Sequence, residues 1–431
     1  MQQEFFPLSP SLWAATASPA PPTIALQDDA QADVVVVGAG FCGLSTALHL
    51  AERGVRVTVL EAREIGFGGS GRNGGQVIPG LKHDPSELIA LLGPENGQRL
   101  VHFSAGTADA VFDLIDKHRM DVACVRRGWI QGSHTPAALK MAERRVRDWC
   151  AQGVGAKLLD RNETASLLGT DKYLGGWLDP RGGGVQPLSY AHGLARAAIA
   201  AGVTIHTQSP ATELAQVKGG WRVKTAAGAA VSAARVVLCT NGYTDGLWPQ
   251  LGKSIINANS FQVATEPLPA AVRKSILPQG HVSSDARNLL LYYRIDDAGR
   301  LLLGGRGTFR EPDQRQPGNW SHLENAIAKV FPQAAGIPIA YRWCGRVAIT
   351  RDYLPHLHEP APGLLIDIGC QGRGVGLQTR MGQAMAEYIS GGDVRSLPVA
   401  PSSVKPFPLY GLRRLYISAV IAWYRMTDGG V

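Results

Sequence analysis

The sequence predicts an α/β fold carried by a Rossmann-type parallel sheet, with further antiparallel strands outside it. Three segments predict it. Residues 33–62, DVVVVGAGFCGLSTALHLAERGVRVTVLEA, read as strand, glycine turn, helix and strand. Residues 363–391, GLLIDIGCQGRGVGLQTRMGQAMAEYISG, repeat strand, glycine turn and helix. Residues 288–309, NLLLYYRIDDAGRLLLGGRGTF, read as a hairpin in which two apolar strands flank an Asp-Asp-Ala-Gly turn.

In the first segment, Val34 to Val37 form a β-branched run suited to a buried parallel strand. Gly38, Gly40 and Gly43 give G-x-G-x-x-G, enclosing Phe41 and Cys42 at the helix start. Leu44, Ala47, Leu48 and Leu50 follow at helical spacing, and Gly54 ends the helix. Val55, Val57, Val59 and Leu60 make the second strand, closed by Glu61 and Ala62. Gly38 permits the tight turn, Gly40 admits a pyrophosphate, and Gly43 lets helix and strand approach. The helix N-terminus offers unpaired N–H groups to phosphate. Glu61 can accept both hydroxyls of an adenosine ribose and would repel a 2′-phosphate. Strand, turn, helix, strand and acid in register specify a dinucleotide site.

The totals fit a packed protein of two or three domains' worth of material. The chain has 431 residues, 45% of them apolar and 18% charged. Net charge is +8, but lysine and arginine occur in no run longer than a pair, which argues against a nucleic-acid surface. The six cysteines (42, 124, 150, 239, 344 and 370) form no CxxC pair and show no zinc-ligand spacing. They read as reduced core thiols of a cytoplasmic protein, with no metal site. Residues 1–22 lack the basic region and apolar core of a secretory signal. Their prolines suggest an extended arm pinned by Trp13, Phe5 and Phe6.

Seven residues beyond Glu61 begins GGSGRNGGQ, residues 68–76. By composition it is a linker. NAD domains pass at this point into another helix and strand. A glycine-rich loop here instead resembles the FAD-dependent glycine/D-amino acid oxidase (DAO) family. IGFGGSGRNGGQ is similar to the corresponding segment of gamma-glutamylputrescine oxidase-like amine oxidases within it. AARVVLCTNGYT, residues 233–244, resembles the family's second FAD-contacting strand, with its turn at Thr240, Asn241 and Gly242. In residues 363–391 the family points the helix N-terminus, here Gly372, Arg373, Gly374 and Val375, at the flavin edge that gains negative charge on reduction.

The resemblance covers roughly residues 30–395 and implies a DAO / glutathione-reductase-2 type fold. In such a fold a Rossmann-type FAD-binding domain (30–90, 180–250, 345–395) is interleaved with a substrate domain (91–179, 251–344) built on a large mixed β-sheet. An N-terminal arm (1–29) and a C-terminal tail (396–431) remain outside it. In the tail, LYISAVIAWY (415–424) lies between Arg413–Arg414 and Arg425. It is too short to span a bilayer. It reads either as a helix or strand packed on the body, or as an interfacial segment giving peripheral contact with the inner face of a membrane.

The resemblance also implies the chemistry. A C–H bond beside an amine nitrogen gives hydride to flavin N5, and the imine hydrolyses. Gly69, Ser70, Gly71, Arg72, Asn73, Gly74, Gly75 and Gln76 would pass the flavin. Arg373 departs from the family's common histidine and could stabilise reduced flavin or bind a substrate carboxylate. Tyr292 and Arg294 share one face of the predicted hairpin and Tyr293 the other; either face could look into the cavity. Phe261 and Gln262 would begin a strand near the ring, and Trp343 would pack beside it. The covalent cysteine of related sarcosine oxidases aligns with Gly345, so FAD is expected non-covalently. Three readings stay open: a polyamine-type substrate such as a gamma-glutamylated diamine; a small cyclic or secondary amino acid such as L-pipecolate, clamped by Arg294, Arg306, Arg346 or Arg373; or a subunit passing electrons to a membrane quinone.

Overall fold

The computed structural model describes residues 10–307 and 317–428. The first sheet runs, strand by strand, Ala211–Val217, Gly220–Thr225, Ala230–Leu238, Ala30–Val37, Val57–Leu60 and Thr204–His206. Leu364–Ile368 pairs parallel with Ala230–Leu238, and His356–Ala361 pairs antiparallel with Leu364–Ile368. The strands around Ala30–Val37 are parallel, and Val34, Val35 and Val36 are buried, as a sheet covered on both faces requires. Helix Phe41–Ala51 leaves the first strand and packs against Gly374–Ile389 and Pro187–Ala200. Close packing explains two glycines here. A Cβ on Gly43 would lie 1.9 Å from the Gly38 carbonyl oxygen, and one on Gly382 would lie 2.7 Å from that of Cys42.

The second sheet runs Ile339–Ile349, Ile256–Pro267, Arg300–Arg306, Tyr292–Ile295, Val282–Asp285, Trp129–Ser133, Gly175–Asp179 and Lys157–Leu159. It is mixed: Val282–Asp285 and Trp129–Ser133 pair parallel, and the other neighbours pair antiparallel. The expected hairpin is Tyr292–Ile295 with Arg300–Arg306, turning where Gly299 N–H donates to Asp296 O. Residues 308 and 309 lie outside the described residues. Ile339–Ile349 crosses the expected boundary at residue 345. A small sheet of Gln76–Val77, Gly183–Val185 and Cys124–Val125 ties the exit of the glycine loop to both halves.

The N-terminal arm begins as a helical turn, Leu12–Thr16, capped by the Ser11 hydroxyl. It then runs extended, held where Ser18 and Leu26 N–H donate to the hydroxyls of Ser189 and Ser209. Phe5 and Phe6 lie outside the described residues. The tail forms a helix, Arg413–Thr427. Ile417 is buried, while Leu415, Trp423 and Met426 are 60–72% exposed. The Arg425 side chain lies outside the described residues. Among the described residues no helix is long and apolar enough to cross a membrane. None of the six cysteines is in a disulfide, and only four are buried. Cys124 and Cys150, expected in the core, are exposed, on an outer strand of the small sheet and near the end of helix Pro136–Ala151.

Candidate active site

A cavity of about 1030 Å³ opens between the two large sheets. Its floor is the Rossmann half. Gly38, at φ +107°, turns the chain into helix Phe41–Ala51, and a Cβ there would meet the Cys239 carbonyl oxygen at 2.9 Å. Gly40, Phe41 and Cys42 line the wall, whereas Gly43 sits behind it in the helix–strand packing. Glu61 and Ala62 line the cavity at the end of the second strand. The Glu61 carboxylate accepts N–H bonds from Ala39 at 2.7 Å and Arg63 at 2.9 Å, and burial raises its pKa.

The segment GGSGRNGGQ is the opposite of a linker. The Ser70 hydroxyl accepts the Phe41 N–H at 3.0 Å, joining the loop to the helix N-terminus. The Asn73 side chain donates to the Gly69 and Ser70 carbonyls and accepts from Gly75 N–H at 2.7 Å. Arg72 donates to Phe67 O at 2.7 Å and stacks 4.6 Å from the Phe67 ring. The Arg72 carbonyl accepts from Gln262 and Trp343, and the Asn73 carbonyl from Trp13. Gly69, Ser70, Arg72, Asn73, Gly74 and Gln76 line the cavity. Gly71 and Gly75 do not. A Cβ on Gly71 would lie 2.5 Å from the Gly66 carbonyl oxygen, and one on Gly75 2.3 Å from that of Val185. Gln76 donates to Ser283 O and Tyr293 O, leaving Oε1 buried without a partner among the described residues.

Thr240, Asn241 and Gly242 line the cavity after strand Ala230–Leu238. So do Gly372, Arg373, Gly374 and Val375 at the start of helix Gly374–Ile389. Arg373 is the N-cap residue. Its guanidinium donates to Pro79 O at 2.9 Å and lies 5.0 Å from the Trp129 ring. Burial, with Arg145 nearby, pulls its pKa down to about 9.

On the roof, Tyr292 lines the cavity, bonded through its hydroxyl to Ser260 at 2.6 Å. Its ring would lie 2.7 Å from a Cβ on Gly74. Tyr293 points to the opposite face, edge-on to Phe331. Arg294 shares the Tyr292 face but does not line the cavity. Its guanidinium donates to Gly75 O at 2.9 Å and Val185 O at 2.7 Å, bracing the glycine loop from behind. That geometry is a correction to its expected place beside the substrate. Phe261 and Gln262 lie mid-strand rather than at its start, and neither lines the cavity. Phe261 packs on Trp320, and Trp343 edge-on to Trp13. Arg306, Gly345 and Arg346 do line it, with Cys344 buried in the second sheet's core.

Several cavity residues went unread in the sequence, among them Lys82, Arg145, Tyr353 and Tyr424. Tyr424 comes from the tail helix, whose next residue but three, Asp428, accepts N–H bonds from Asn288 and Leu289. Lys82 follows the glycine loop, and Arg145 sits on a helix with no glycine or acid motif. No local pattern marks them; only the tertiary fold brings them to the cavity.

The residues 33–388 match the family described as FAD dependent oxidoreductase, DAO. The chain belongs to the DAO family. It is 36% identical over 377 residues to the probable oxidoreductase OrdL of Haemophilus influenzae, covering 84% of each chain. It is 31% identical over 423 residues to gamma-glutamylputrescine oxidoreductase of Escherichia coli, covering 97% of this chain and 98% of that one. Among solved structures, glycine oxidase from Geobacillus kaustophilus shares the fold at a TM-score of 0.70 and 21% identity, covering 84% of this chain and 96% of that one. L-proline dehydrogenase from P. horikoshii shares it at 0.67 and 20%, covering 84% and 94%. This DAO-family enzyme is an FAD-dependent amine or amino acid oxidoreductase. The cavity fits that cofactor: a floor where a Cβ at Gly38 would collide with backbone, a helix N-terminus, Glu61, and the unpartnered Gln76 Oε1.

Proposed function

We propose that the enzyme oxidises the C–N bond of a polyamine-type amine, a gamma-glutamylated diamine, to an imine that water then hydrolyses. The observation that carries this reading is the end-to-end match to gamma-glutamylputrescine oxidoreductase. Bound FAD, held non-covalently, supplies the two-electron acceptor. In this reading Gly38, Gly40 and the first-turn amides of Phe41–Ala51 hold the pyrophosphate, and Glu61 the ribose hydroxyls. Gly69, Ser70, Arg72, Asn73, Gly74 and Gln76 would line the cofactor's site, where the unpartnered Gln76 Oε1 would accept a hydrogen bond from it. Thr240 to Gly242 close its flank. The N-terminus of Gly374–Ile389, with Arg373, favours the charge that develops on reduction. Tyr292 closes the cavity above and excludes water. The first sheet serves as the FAD domain and the second as the substrate domain.

The test is turnover with gamma-glutamylputrescine, putrescine, L-pipecolate and L-proline, with products identified by mass. The reading expects aldehyde and ammonia, or aldehyde and amine, from the gamma-glutamylated diamine. Turnover of the cyclic amino acids alone would replace it with the L-pipecolate reading.

The same proposal puts a peripheral membrane contact on the outer face of the tail helix. Leu415, Trp423 and Met426 are exposed there, beside Arg413 and Arg414. Co-sedimentation with anionic but not zwitterionic vesicles is expected. Absence of sedimentation with either removes this contact.

A further inference from the structure

We infer that Cys42 and Cys239 form an oxidation-sensitive dithiol in the cavity floor: a peroxide closes them into a disulfide, and that bond and FAD exclude one another. The coupling to FAD rests on the placement of the pyrophosphate at Gly38, Gly40 and the first turn of Phe41–Ala51. The pairing of the two sulfurs does not.

The two residues are 197 positions apart in the chain, yet the Cys239 thiol donates to the Cys42 sulfur at 3.4 Å. Cys42 is the second residue of helix Phe41–Ala51, inside the glycine turn, and Cys239 follows strand Ala230–Leu238. Both line the cavity, at 4% and 8% exposure, so a molecule as small as hydrogen peroxide can reach them from the cofactor's side. Their backbones are held in place. Cys239 N–H donates to Val37 O at 2.9 Å, and Cys42 O accepts the Thr46 hydroxyl at 2.8 Å. The proposed amine oxidation uses neither thiol.

The step balances with a peroxide as oxidant. One sulfur attacks a peroxide oxygen, giving a sulfenic acid and one water. The second thiol then displaces the sulfenic oxygen, the S–S bond forms and a second water leaves. Two S–H bonds and the O–O bond are lost; the thiols are oxidised and the peroxide is reduced. Burial, then Cys239, then Asp367, push the Cys42 thiol up, so little thiolate is present and the first step is slow. The second is fast, because the partner thiol is already in contact.

The bond has a consequence for the cofactor. A disulfide brings its sulfurs to about 2.05 Å, so Cys42 and Cys239 must close by about 1.4 Å. That movement draws on the helix's first turn, where Phe41 N–H is tied to the Ser70 hydroxyl at 3.0 Å. The amides offered to the pyrophosphate lose their aim, and the glycine loop loses an anchor. Bound FAD lies over the pair and holds the dithiol open. Linkage makes the two effects equal: the factor by which the disulfide weakens FAD is the factor by which FAD disfavours the disulfide.

The experiment treats the purified flavin-loaded enzyme with hydrogen peroxide, with and without excess FAD. Fluorescence reports released flavin, and peptide mass mapping reports the state of each cysteine. A peptide linked through Cys42 and Cys239 should appear in step with flavin release. Excess FAD should slow both about tenfold or more, and dithiothreitol should reverse both. Cys239→Ser should give no linked peptide and retain its FAD under the same treatment; the map of the natural chain decides by itself if that variant fails to fold. Exposed Cys124 and Cys150 serve as the control for oxidation. If they are oxidised while Cys42 and Cys239 stay reduced, the dithiol is overturned. Flavin lost with both thiols reduced would also overturn it, and would leave the cofactor placement intact. A linked peptide with FAD fully retained would keep the pair but overturn its coupling to FAD and, with it, the pyrophosphate placement.

Discussion

The indole N–H of Trp13 donates to the carbonyl of Asn73 at 2.7 Å, tying the N-terminal arm to the middle of the glycine loop. Gln186 in turn donates to the Trp13 carbonyl at 2.8 Å, and Trp343 packs edge-on to its ring. The arm therefore braces, from outside the cavity, the loop that forms part of its wall. Trp13→Ala should cost about 3–5 kcal/mol of stability, the range for a fully buried tryptophan. It should also weaken FAD retention. Thermal unfolding and the flavin-to-protein absorbance ratio would show both, and a variant with unchanged FAD retention would detach the arm from the site.

Two glycines make sharper tests. Gly71→Val would drive side-chain atoms into the Gly66 carbonyl and Leu188, and Gly74→Val into the Tyr292 ring. Both variants should purify with little flavin. Gly74→Val should partly recover when combined with Tyr292→Ala, since a ring can be removed. Gly71→Val has no such rescue, because its obstacle is backbone. Full flavin occupancy in either single variant would return the segment to the status of a linker.

Arg294 separates bracing from catalysis. Its two bonds hold Gly75 and Val185 from behind the loop. Arg294→Lys keeps a charge but cannot span both carbonyls in the same plane. FAD affinity should fall about tenfold, while KM for substrate at saturating FAD stays within about twofold. A raised KM with normal FAD affinity would place Arg294 at the substrate after all.

Asp367 gives a pH signature. It is 1% exposed on strand Leu364–Ile368, and neither carboxylate oxygen has a partner of hydrogen-bonding geometry among the described residues. Burial raises its pKa to about 7. Below the unfolded-state value, near 4, both states are protonated and the residue costs nothing. Between about pH 4 and about pH 7 only the unfolded chain ionises, so stability falls by about 1.4 kcal/mol per pH unit and then levels. Asp367→Asn should therefore raise Tm at about pH 8 and leave it unchanged at about pH 4. An equal effect at both values would contradict the burial of an ionisable group.

The tail helix closes one side of the cavity through Tyr424 and is stapled by Asp428 to Asn288 and Leu289. Asp428→Ala should raise KM several-fold, speed proteolysis of residues 401–428 and leave FAD bound. Unchanged KM with a proteolysed tail would show that the helix does not shape the substrate site.

The Rossmann unit was legible because its determinants are local. Val34 to Val37, the three glycines and Glu61 act within one strand–helix–strand, so their order in sequence is their order in space. The glycine loop was legible by position, since composition alone favoured a linker. The roof was legible only halfway. Alternation placed Tyr292 and Arg294 on one face, but not that Arg294 would be spent on Gly75 and Val185, a choice made by strands distant in sequence. Lys82 and Arg145 carried no signal at all. Each is an ordinary charged residue in its own segment, and their significance comes from two elements meeting near helix Gly374–Ile389. The tail was read as body-packed or membrane-facing; the helix packs with one face and exposes the other.

The account stands most directly on one titration. Gamma-glutamylputrescine is added to the purified yellow enzyme without oxygen, and the flavin absorbance band is followed. The account predicts full bleaching at one equivalent of this amine. A band that stays oxidised with this amine, and bleaches only with L-pipecolate or L-proline, would contradict it.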